Sequence, residues 1–192
     1  MTSLGVNGHR ARKAARVMHG GGVIAYPTEA VYGLGCDPFD GRAVRRVLAS
    51  KVRDANKGLI LIAADVAQLH ALLAEDEVHA LSAHAAQLDG DRATTWVVKK
   101  KHSVPDWLSG GRDTIAVRVT THVLARDLCL AFGGPIVSTS ANLSGKQPAR
   151  RVVDVARRLG GRIDWCVGGH TEGRRSSKAI GRAVRFQHLR QR

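Results

Sequence analysis

The sequence predicts one α/β domain of 192 residues with a largely covered, mixed sheet. Short apolar runs alternate with segments whose apolar residues recur at helical spacing. The composition, 44% hydrophobic and 24% charged, is typical of a globular domain with one core. No compositional break, internal repeat or low-complexity linker divides residues 1–192, so we expect a single domain.

The first half of the chain predicts three helices and two strands. Apolar spacing predicts a helix over 11–18, which three glycines end. A short apolar run predicts a strand at 23–26, and a helix opens near Asp40. The continuous run 59–63 predicts a strand covered on both faces, and Asp65 is the expected N-cap of a helix through Leu73.

The second half continues the alternation. Residues 75–92 predict a helix followed by a loop, and the runs 94–98 and 114–119 predict strands joined by a loop at 105–112. A helix is expected at 123–132, a strand at 136–137 and a short helix at 154–159. Two further strands are expected at 163–167 and 183–186.

Several classes of protein are disfavoured. The chain start lacks the apolar core of a signal peptide, no apolar run reaches the length of a membrane span, and three scattered cysteines predict neither a disulfide framework nor a zinc knuckle. The histidines lack zinc-ligand spacing, so we expect no protein-bound metal. Neither a P-loop nor a Gly-x-Gly-x-x-Gly fingerprint is present. We expect a cytoplasmic protein with no membrane partner.

The charge indicates a polyanionic partner. The chain has 30 Lys and Arg against 16 Asp and Glu, a net charge of +14. From Arg150 to Arg192, twelve basic against three acidic residues give +9. Such a field attracts nucleic acid or a nucleotide, and a solvated basic face without a specific partner is the alternative.

Two polar stretches follow strand-like runs and predict a binding site. Residues 26–35 and 138–145 combine hydroxyl-bearing residues with glycines, which suits the binding of a polar ligand at strand ends. For either stretch alone, a capped turn is an equal alternative. Ser138, Ser140 and Asn142 recur at period two, so an extended chain presents them to one ligand. Ser140 lacks the nucleophile elbow of a serine hydrolase.

Basic residues at 50–58 form a candidate phosphate clamp. If Lys51 and Arg53 act together, the chain has left its helix there and become extended. With Lys57 they would clamp a triphosphate, and the alternative is a solvated helix end. Arg118 interrupts an apolar strand and needs an anionic partner, either an internal carboxylate or one on the substrate.

The motifs together resemble a known family. Tyr-Pro-Thr-Glu-Ala-Val-Tyr-Gly-Leu-Gly, Lys-x-Arg followed by Lys-Gly-Leu-Ile-Leu-Ile, Ala-Val-Arg-Val-Thr and Ser-Thr-Ser-Ala-Asn-Leu-Ser-Gly resemble the YrdC/Sua5 family in content and order. The match is close over 23–148 and most similar to its short, single-domain bacterial threonylcarbamoyl-AMP synthases (TsaC-like). The resemblance implies a YrdC-like fold, a twisted, open, mixed sheet flanked by helices.

The resemblance also implies an enzyme, a nucleotidyltransferase. It condenses L-threonine, bicarbonate and ATP into threonylcarbamoyl-AMP, releases pyrophosphate, and supplies a downstream transferase complex that makes t6A in tRNA. Mg²⁺ would arrive with the ATP. The positions implied are Thr28, Tyr32 and Arg118 for threonine, and Lys51, Arg53, Lys57, Thr94, Ser138, Ser140 and Asn142 for ATP, with Lys51 and Arg53 catalytic.

The chain departs from the family at three places. Asp54 stands where proline usually follows Lys-x-Arg, residues 90–93 replace Pro-Gly-Pro, and 174–180, with Ser176 and Ser177, match Pro-Ser-x-Ile loosely. Two rival functions stay open. One is a non-catalytic protein that binds double-stranded or ribosomal RNA in ribosome maturation, and its basic face could equally bind tRNA. The other is a carbamoyl-phosphate-dependent enzyme, whose accessory regions the chain lacks.

Overall fold

A computed structural model describes residues 6–87, 94–173 and 180–182, and its strands form one mixed sheet. The strands are β1 (Ile24–Pro27), β2 (Tyr32–Gly35), β3 (Ile60–Ala63), β4 (Thr95–Lys99), β5 (Thr114–Val119), β6 (Ile136–Ser140), β7 (Trp165–Cys166) and β8 (Ile180–Arg182). Their order across the sheet is β7-β1-β2-β6-β3-β5-β4-β8. The α/β class and the mixed sheet are confirmed.

The pairing brings distant segments together at the centre of the sheet. β1 and β2 form an antiparallel hairpin, and β6 runs antiparallel to both β2 and β3. β3 and β5 are parallel, and β4 is antiparallel to β5. The polar end of β6 therefore lies between the β1–β2 hairpin and β3.

Helices cover the two sheet faces unequally. The described helices are α1 (Val6–His19), α2 (Gly41–Lys51), α3 (Glu75–Gln87), α4 (Asp106–Ser109), α5 (Val123–Phe132) and α6 (Val152–Leu159). Side chains of α2, α3, α4 and α6 pack into the core on one face. Of the described helices, only α1 and α5 pack on the opposite face. Asp40 begins α2 by accepting from the amides of Arg42 and Ala43, as expected of an N-cap.

Most predicted elements are confirmed, and the exceptions have local causes. The helix expected after Asp65 is only a 3-10 turn, Ala67–Leu69, because the chain then turns to bridge Leu73 to Lys100. The loop expected at 105–112 contains α4, which Gly110 ends in the left-handed conformation. The strand expected at 163–167 is reduced to β7.

Three further strand predictions differ from the structure or lie outside it. β3 is covered on both faces at Leu61, Ile62 and Ala63, as predicted, but Ile60 at its start is partly exposed. β6 runs past the predicted 136–137 to Ser140. The strand expected at 183–186 and the loop after α3 lie outside the described residues. Among the described helices, none has the length and apolar character of a membrane span.

Candidate active site on the open face of the sheet

Part of one sheet face is left uncovered by the described residues. α1 and α5 cover Ile24, Ile62 and Ile136. Beyond them the strand register aligns a row of partly exposed side chains on the same face, because residues in register point the same way. The row consists of Ser138, Ile60, Ala116 and Val97. We call this row, with Arg118 at one side and Ser140 at the other, the open face.

The end of β6 forms a folded polar corner. Ser138 and Ser140 share the open face, as the period-two spacing predicted, but the same prediction is wrong for Asn142, because the chain turns after Ser140. Asn142 follows a tight turn in which its amide donates to the carbonyl of Ser140 (3.0 Å), and the Ser140 hydroxyl donates to Asn142 Oδ1 (2.5 Å). Asn142 Nδ2 donates to the carbonyls of Leu143 (2.8 Å) and Lys146 (2.7 Å). Asn142 therefore orders the loop after β6.

Lys51 joins this corner from the last turn of α2. Its side chain is buried, and Nζ donates to the carbonyl oxygen of Ser140, to the carbonyl oxygen of Asn142 (2.9 Å) and to Asn142 Oδ1 (3.1 Å). Three acceptors match the three donors of an ammonium group. Burial, and then the positive charge of Arg53, lower the pKa of Lys51 to about 8. In this conformation Lys51 orders the corner rather than pointing at solvent.

The chain does leave α2 after Lys51, but it does not become extended. Val52 adopts the left-handed conformation, φ 52° and ψ 50°, and caps the helix. The prediction that Lys51 and Arg53 align along an extended segment is therefore wrong. Lys51 points inward because it follows Val47 and Leu48 at helical spacing on the buried side of α2. The left-handed Val52 then turns the chain so that Arg53 lies back toward Gly58.

Arg53 and Lys57 lie on a short turn beside the polar corner. Arg53 Nη2 donates to the carbonyl of Gly58 (2.9 Å), and its Nε is buried without a hydrogen-bond partner. Lys57 is exposed on the 3-10 turn Ala55–Lys57. Gly58 has φ 64° and lies against the backbone of α4, which fixes the turn in place. These two cations, unlike Lys51, have donors available for a phosphate.

Arg118 lies at the opposite side of the open face with an ordered guanidinium. Its Nε (2.9 Å) and Nη2 (2.7 Å) donate to Thr95 Oγ1, and Nη1 is 3.9 Å from Glu29 Oε2. The internal carboxylate considered as a partner is thus present, but it is beyond hydrogen-bonding distance. Three of the five guanidinium donors remain available for an anion.

Glu29 and Thr95 are site residues that the sequence did not single out. Glu29 Oε1 accepts from Thr120 Oγ1 (2.7 Å) and from the amides of Thr121 (3.1 Å) and His122 (3.3 Å). Burial alone would raise the pKa of Glu29, but these donors and the charge of Arg118 hold it below its ordinary value. Thr94, the expected ATP contact, lies one residue before β4 and is partly buried. Glu29 belongs to the Tyr-Pro-Thr-Glu motif, and that motif was the feature of the sequence that could have identified it.

The remaining predicted residues lie on the β1–β2 hairpin. Thr28 closes its turn, with Oγ1 donating to the carbonyl of Val31 (2.7 Å). The ring of Tyr32 is fully buried and its hydroxyl donates to the carbonyl of Gly169 (2.6 Å). Burial raises the pKa of Tyr32 to about 12. Tyr32 therefore supports the hairpin from behind, whereas Thr28 lies at the turn next to Glu29.

Comparisons with known proteins identify the family of this chain. The family model of the Sua5, YciO and YrdC proteins, described as telomere recombination, matches residues 16–191. The chain belongs to the Sua5/YciO/YrdC family. A protein of Halorhodospira halophila named threonylcarbamoyl-AMP synthase is 51% identical over 88% of this chain and 87% of its own length. One of Pseudomonas aeruginosa with the same name is 43% identical over 96% of this chain and 98% of its own length.

A solved structure shares the fold. The Sua5 protein of P. abyssi, complexed with L-threonine, superposes with a TM-score of 0.76 at 36% identity over 85% of this chain. This chain spans 48% of that protein. The resemblance to the family that the motifs indicated is confirmed.

Asp54, the departure from the family's proline, has a structural explanation. Its φ is −59°, the angle that a proline would fix, and its Oδ1 accepts from the amide of Asn56 (2.9 Å). Asp54 thus begins the 3-10 turn that carries Lys57. The other two departures, 90–93 and 174–180, lie outside the described residues except for Ile180 in β8.

Proposed function

We propose that this protein is an L-threonylcarbamoyladenylate synthase, which condenses L-threonine, bicarbonate and ATP into threonylcarbamoyl-AMP and releases pyrophosphate. The names of its full-length relatives and the L-threonine bound to the P. abyssi relative support the proposal. The observation that carries it is one open face with an ordered arginine at one side and two available cations at the other.

The reaction needs no protein nucleophile. The threonine amine adds to the carbon of carbon dioxide, which bicarbonate supplies, and loses a proton to give a carbamate. A carbamate oxygen then attacks the α-phosphorus of ATP, the bond from that phosphorus to the bridging oxygen breaks, and pyrophosphate leaves with its magnesium ion. The protein aligns the two substrates and neutralises charge on the phosphates.

Arg118 is the proposed partner of the threonine carboxylate. A guanidinium with adjacent free donors binds a carboxylate through two parallel hydrogen bonds. Thr28 and Tyr32 are proposed at the threonine pocket, Thr28 at its rim and Tyr32 as support. Thr95 holds Nε and Nη2 and so fixes which donors of Arg118 face the ligand.

The opposite side of the open face is the proposed ATP site. Arg53 and Lys57 would contact the triphosphate directly, and Lys51 would hold Ser140 and Asn142 where they meet the adenylate. Ser138 lies in the exposed row beside Ile60, which offers an apolar surface to the nucleoside. Thr94 stays a proposed ATP contact. Mg²⁺ enters as part of the substrate and makes few protein contacts.

The product would be used by a transferase complex that modifies adenosine in tRNA to t6A. We therefore expect the protein to act in the cytoplasm. The test of the proposed function is a pyrophosphate-release assay with ATP and bicarbonate. Release that depends on L-threonine, with threonylcarbamoyl-AMP identified by mass spectrometry, supports the synthase. Release that L-threonine does not change would refute it.

RNA binding is a second candidate function, supported by exposed basic side chains outside the open face. The outer surfaces of α2 and α6 and the residues beside them carry exposed arginines, namely Arg42, Arg45, Arg150, Arg151, Arg157 and Arg158. Binding through them would be insensitive to sequence and would weaken steeply with salt. Changing Arg150, Arg151 and Arg157 to Gln should weaken tRNA binding more than pyrophosphate release. Adenylation that strictly required RNA would favour this function over the synthase.

A further inference from the structure

Glu29 joins two parts of the molecule that the sheet keeps apart. It lies in the turn of the β1–β2 hairpin, directly after Thr28. Its three hydrogen-bond donors lie at the corner between β5 and α5. In the sheet, β6 and β3 separate β2 from β5. The hairpin turn therefore reaches across two strands, and the Glu29 side chain makes hydrogen bonds to the far side.

The corner that Glu29 contacts is itself ordered. Thr120 is buried, and its amide donates to the carbonyl of Ala63 at the end of β3 (3.0 Å). His122 caps α5, with Nδ1 accepting from the amide of Ala125 (3.3 Å). An anion held by three donors at a helix N-terminus is favoured by the helix dipole as well. The side chain of Glu29 is only 2% exposed and cannot contact a substrate directly.

The second oxygen of this carboxylate faces Arg118. Oε2 is 3.9 Å from Nη1, close enough for charge attraction and too far for a hydrogen bond. Thr95 holds the opposite edge of the same guanidinium. Arg118 is thus oriented from two sides while its remaining donors stay available for a ligand.

We propose that Glu29 is a positioning residue that sets both sides of the threonine pocket at once, the hairpin turn with Thr28 and the guanidinium of Arg118. This inference rests on the proposed function, because it takes the ligand of Arg118 to be the carboxylate of threonine. Glu29 acts through Arg118 and the turn, so its loss should affect threonine selectively and leave the nucleotide end of the open face unchanged.

Glu29→Gln is the sharpest test because it preserves volume. If the amide oxygen stays on Thr120, Thr121 and His122, the amide nitrogen replaces Oε2 and directs its donors at the donors of Arg118. The guanidinium must then move. We expect KM for L-threonine to rise about tenfold, the loss of one charge-assisted interaction, with KM for ATP changed less than about twofold.

Three further variants separate positioning from general stability. Thr120→Val removes one donor to Glu29 and should raise KM for L-threonine by a smaller factor, whereas Thr120→Ser keeps the hydroxyl and should restore it. Glu77→Gln is the matched control, because Glu77 is equally buried but lies on α3 at the covered face. It should leave both KM values at the wild-type level.

Steady-state pyrophosphate release with each substrate varied distinguishes the outcomes. A threonine-selective rise in Glu29→Gln and Thr120→Val, absent in Glu77→Gln, supports the positioning role. An unchanged KM for L-threonine in Glu29→Gln, or an equal rise in both KM values, overturns it while the synthase proposal stands. Wild-type protein without threonine-dependent release overturns the synthase proposal, and the positioning role with it.

Discussion

The two sides of the open face are built differently. Around Arg118, side chains hold one another. Thr95 binds the guanidinium, and Glu29 lies beside it and is itself held by Thr120. Around Arg53 and Lys57, the positions are set by backbone: a left-handed Val52, a 3-10 turn and Gly58 at φ 64°. The first side is preorganised around one group, and the second exposes cations on a turn.

This difference matches the two proposed ligands. An amino acid is small and is recognised by a few fixed contacts, so an oriented arginine suits it. A triphosphate is long and highly charged, so exposed cations suit it without a rigid cage. Lys51 is the exception on the phosphate side, because it is buried and serves the corner formed by Ser140 and Asn142. The comparison predicts that substitutions on the two sides affect different substrates.

The largest effects are expected on the phosphate side. Lys51→Ala and Arg53→Ala should each lower kcat/KM by the equivalent of about 2–4 kcal/mol, since each removes a cation near developing phosphate charge. The structure predicts that they differ in stability. Lys51→Ala removes the ammonium group that donates to three oxygens of the corner and should lower Tm by about 5 °C, whereas Arg53→Ala should change it little.

Thermal unfolding and pyrophosphate release, measured on the same preparations, check this pair. Arg45→Ala is a suitable control, because Arg45 is an exposed arginine on the outer surface of α2. Equal Tm values for the two variants would show that Lys51 does not hold the corner. Near-normal pyrophosphate release by both variants would refute the prediction that Lys51 and Arg53 form a phosphate clamp.

A smaller effect is expected at Arg118. Arg118→Lys keeps the charge but loses the planar fork held by Thr95. The KM for L-threonine should rise about 30-fold, equivalent to about 2 kcal/mol, with KM for ATP nearly unchanged. Steady-state kinetics with each substrate varied in turn measure both. A rise confined to the KM for ATP would show that Arg118 belongs to the nucleotide site and not to the threonine pocket.

Ser140→Ala and Asn142→Ala should weaken ATP binding by about tenfold each. Both variants break the contact between Ser140 Oγ and Asn142 Oδ1, and Asn142→Ala also frees the loop up to Lys146. Titration with a non-hydrolysable ATP analogue measures the loss. Ser144→Ala is the control, since Ser144 is exposed in the same loop. If both variants bind the ATP analogue with unchanged affinity, Ser140 and Asn142 serve only to cap the turn after β6.

The smallest expected effect is a change of a few-fold in kcat/KM for ATP as the pH is varied. The pKa of Lys51, about 8, lies below its unfolded value of 10.5, so kcat/KM for ATP should fall as pH rises above 8. The stability contribution has the opposite sign. The unfolded chain binds the proton more tightly, so the cost of burying the ammonium decreases as pH rises from 8 to 10.5. Lys57→Gln should retain the alkaline fall in activity, and Lys51→Met should lose it.

The sequence predicted the local geometry of single strands better than the arrangement of residues that lie far apart in the chain. The period-two spacing of Ser138 and Ser140 identified side chains that do share a face, because that spacing is a property of the strand itself. The turn of Arg53 back toward Gly58 could not be predicted, since it depends on a left-handed conformation that is unfavourable for valine. Thr95 and Glu29 become partners of Arg118 only through the order of the strands, which no local pattern encodes.

The separation of the two ligands along the open face is most directly tested by calorimetric titration of three proteins with two ligands. Wild type, Arg118→Lys and Arg53→Ala are each titrated with L-threonine and with a non-hydrolysable ATP analogue. We predict a crossed pattern, in which Arg118→Lys loses affinity for L-threonine only and Arg53→Ala for the ATP analogue only. Loss of the ATP analogue in Arg118→Lys, or of L-threonine in Arg53→Ala, would contradict it.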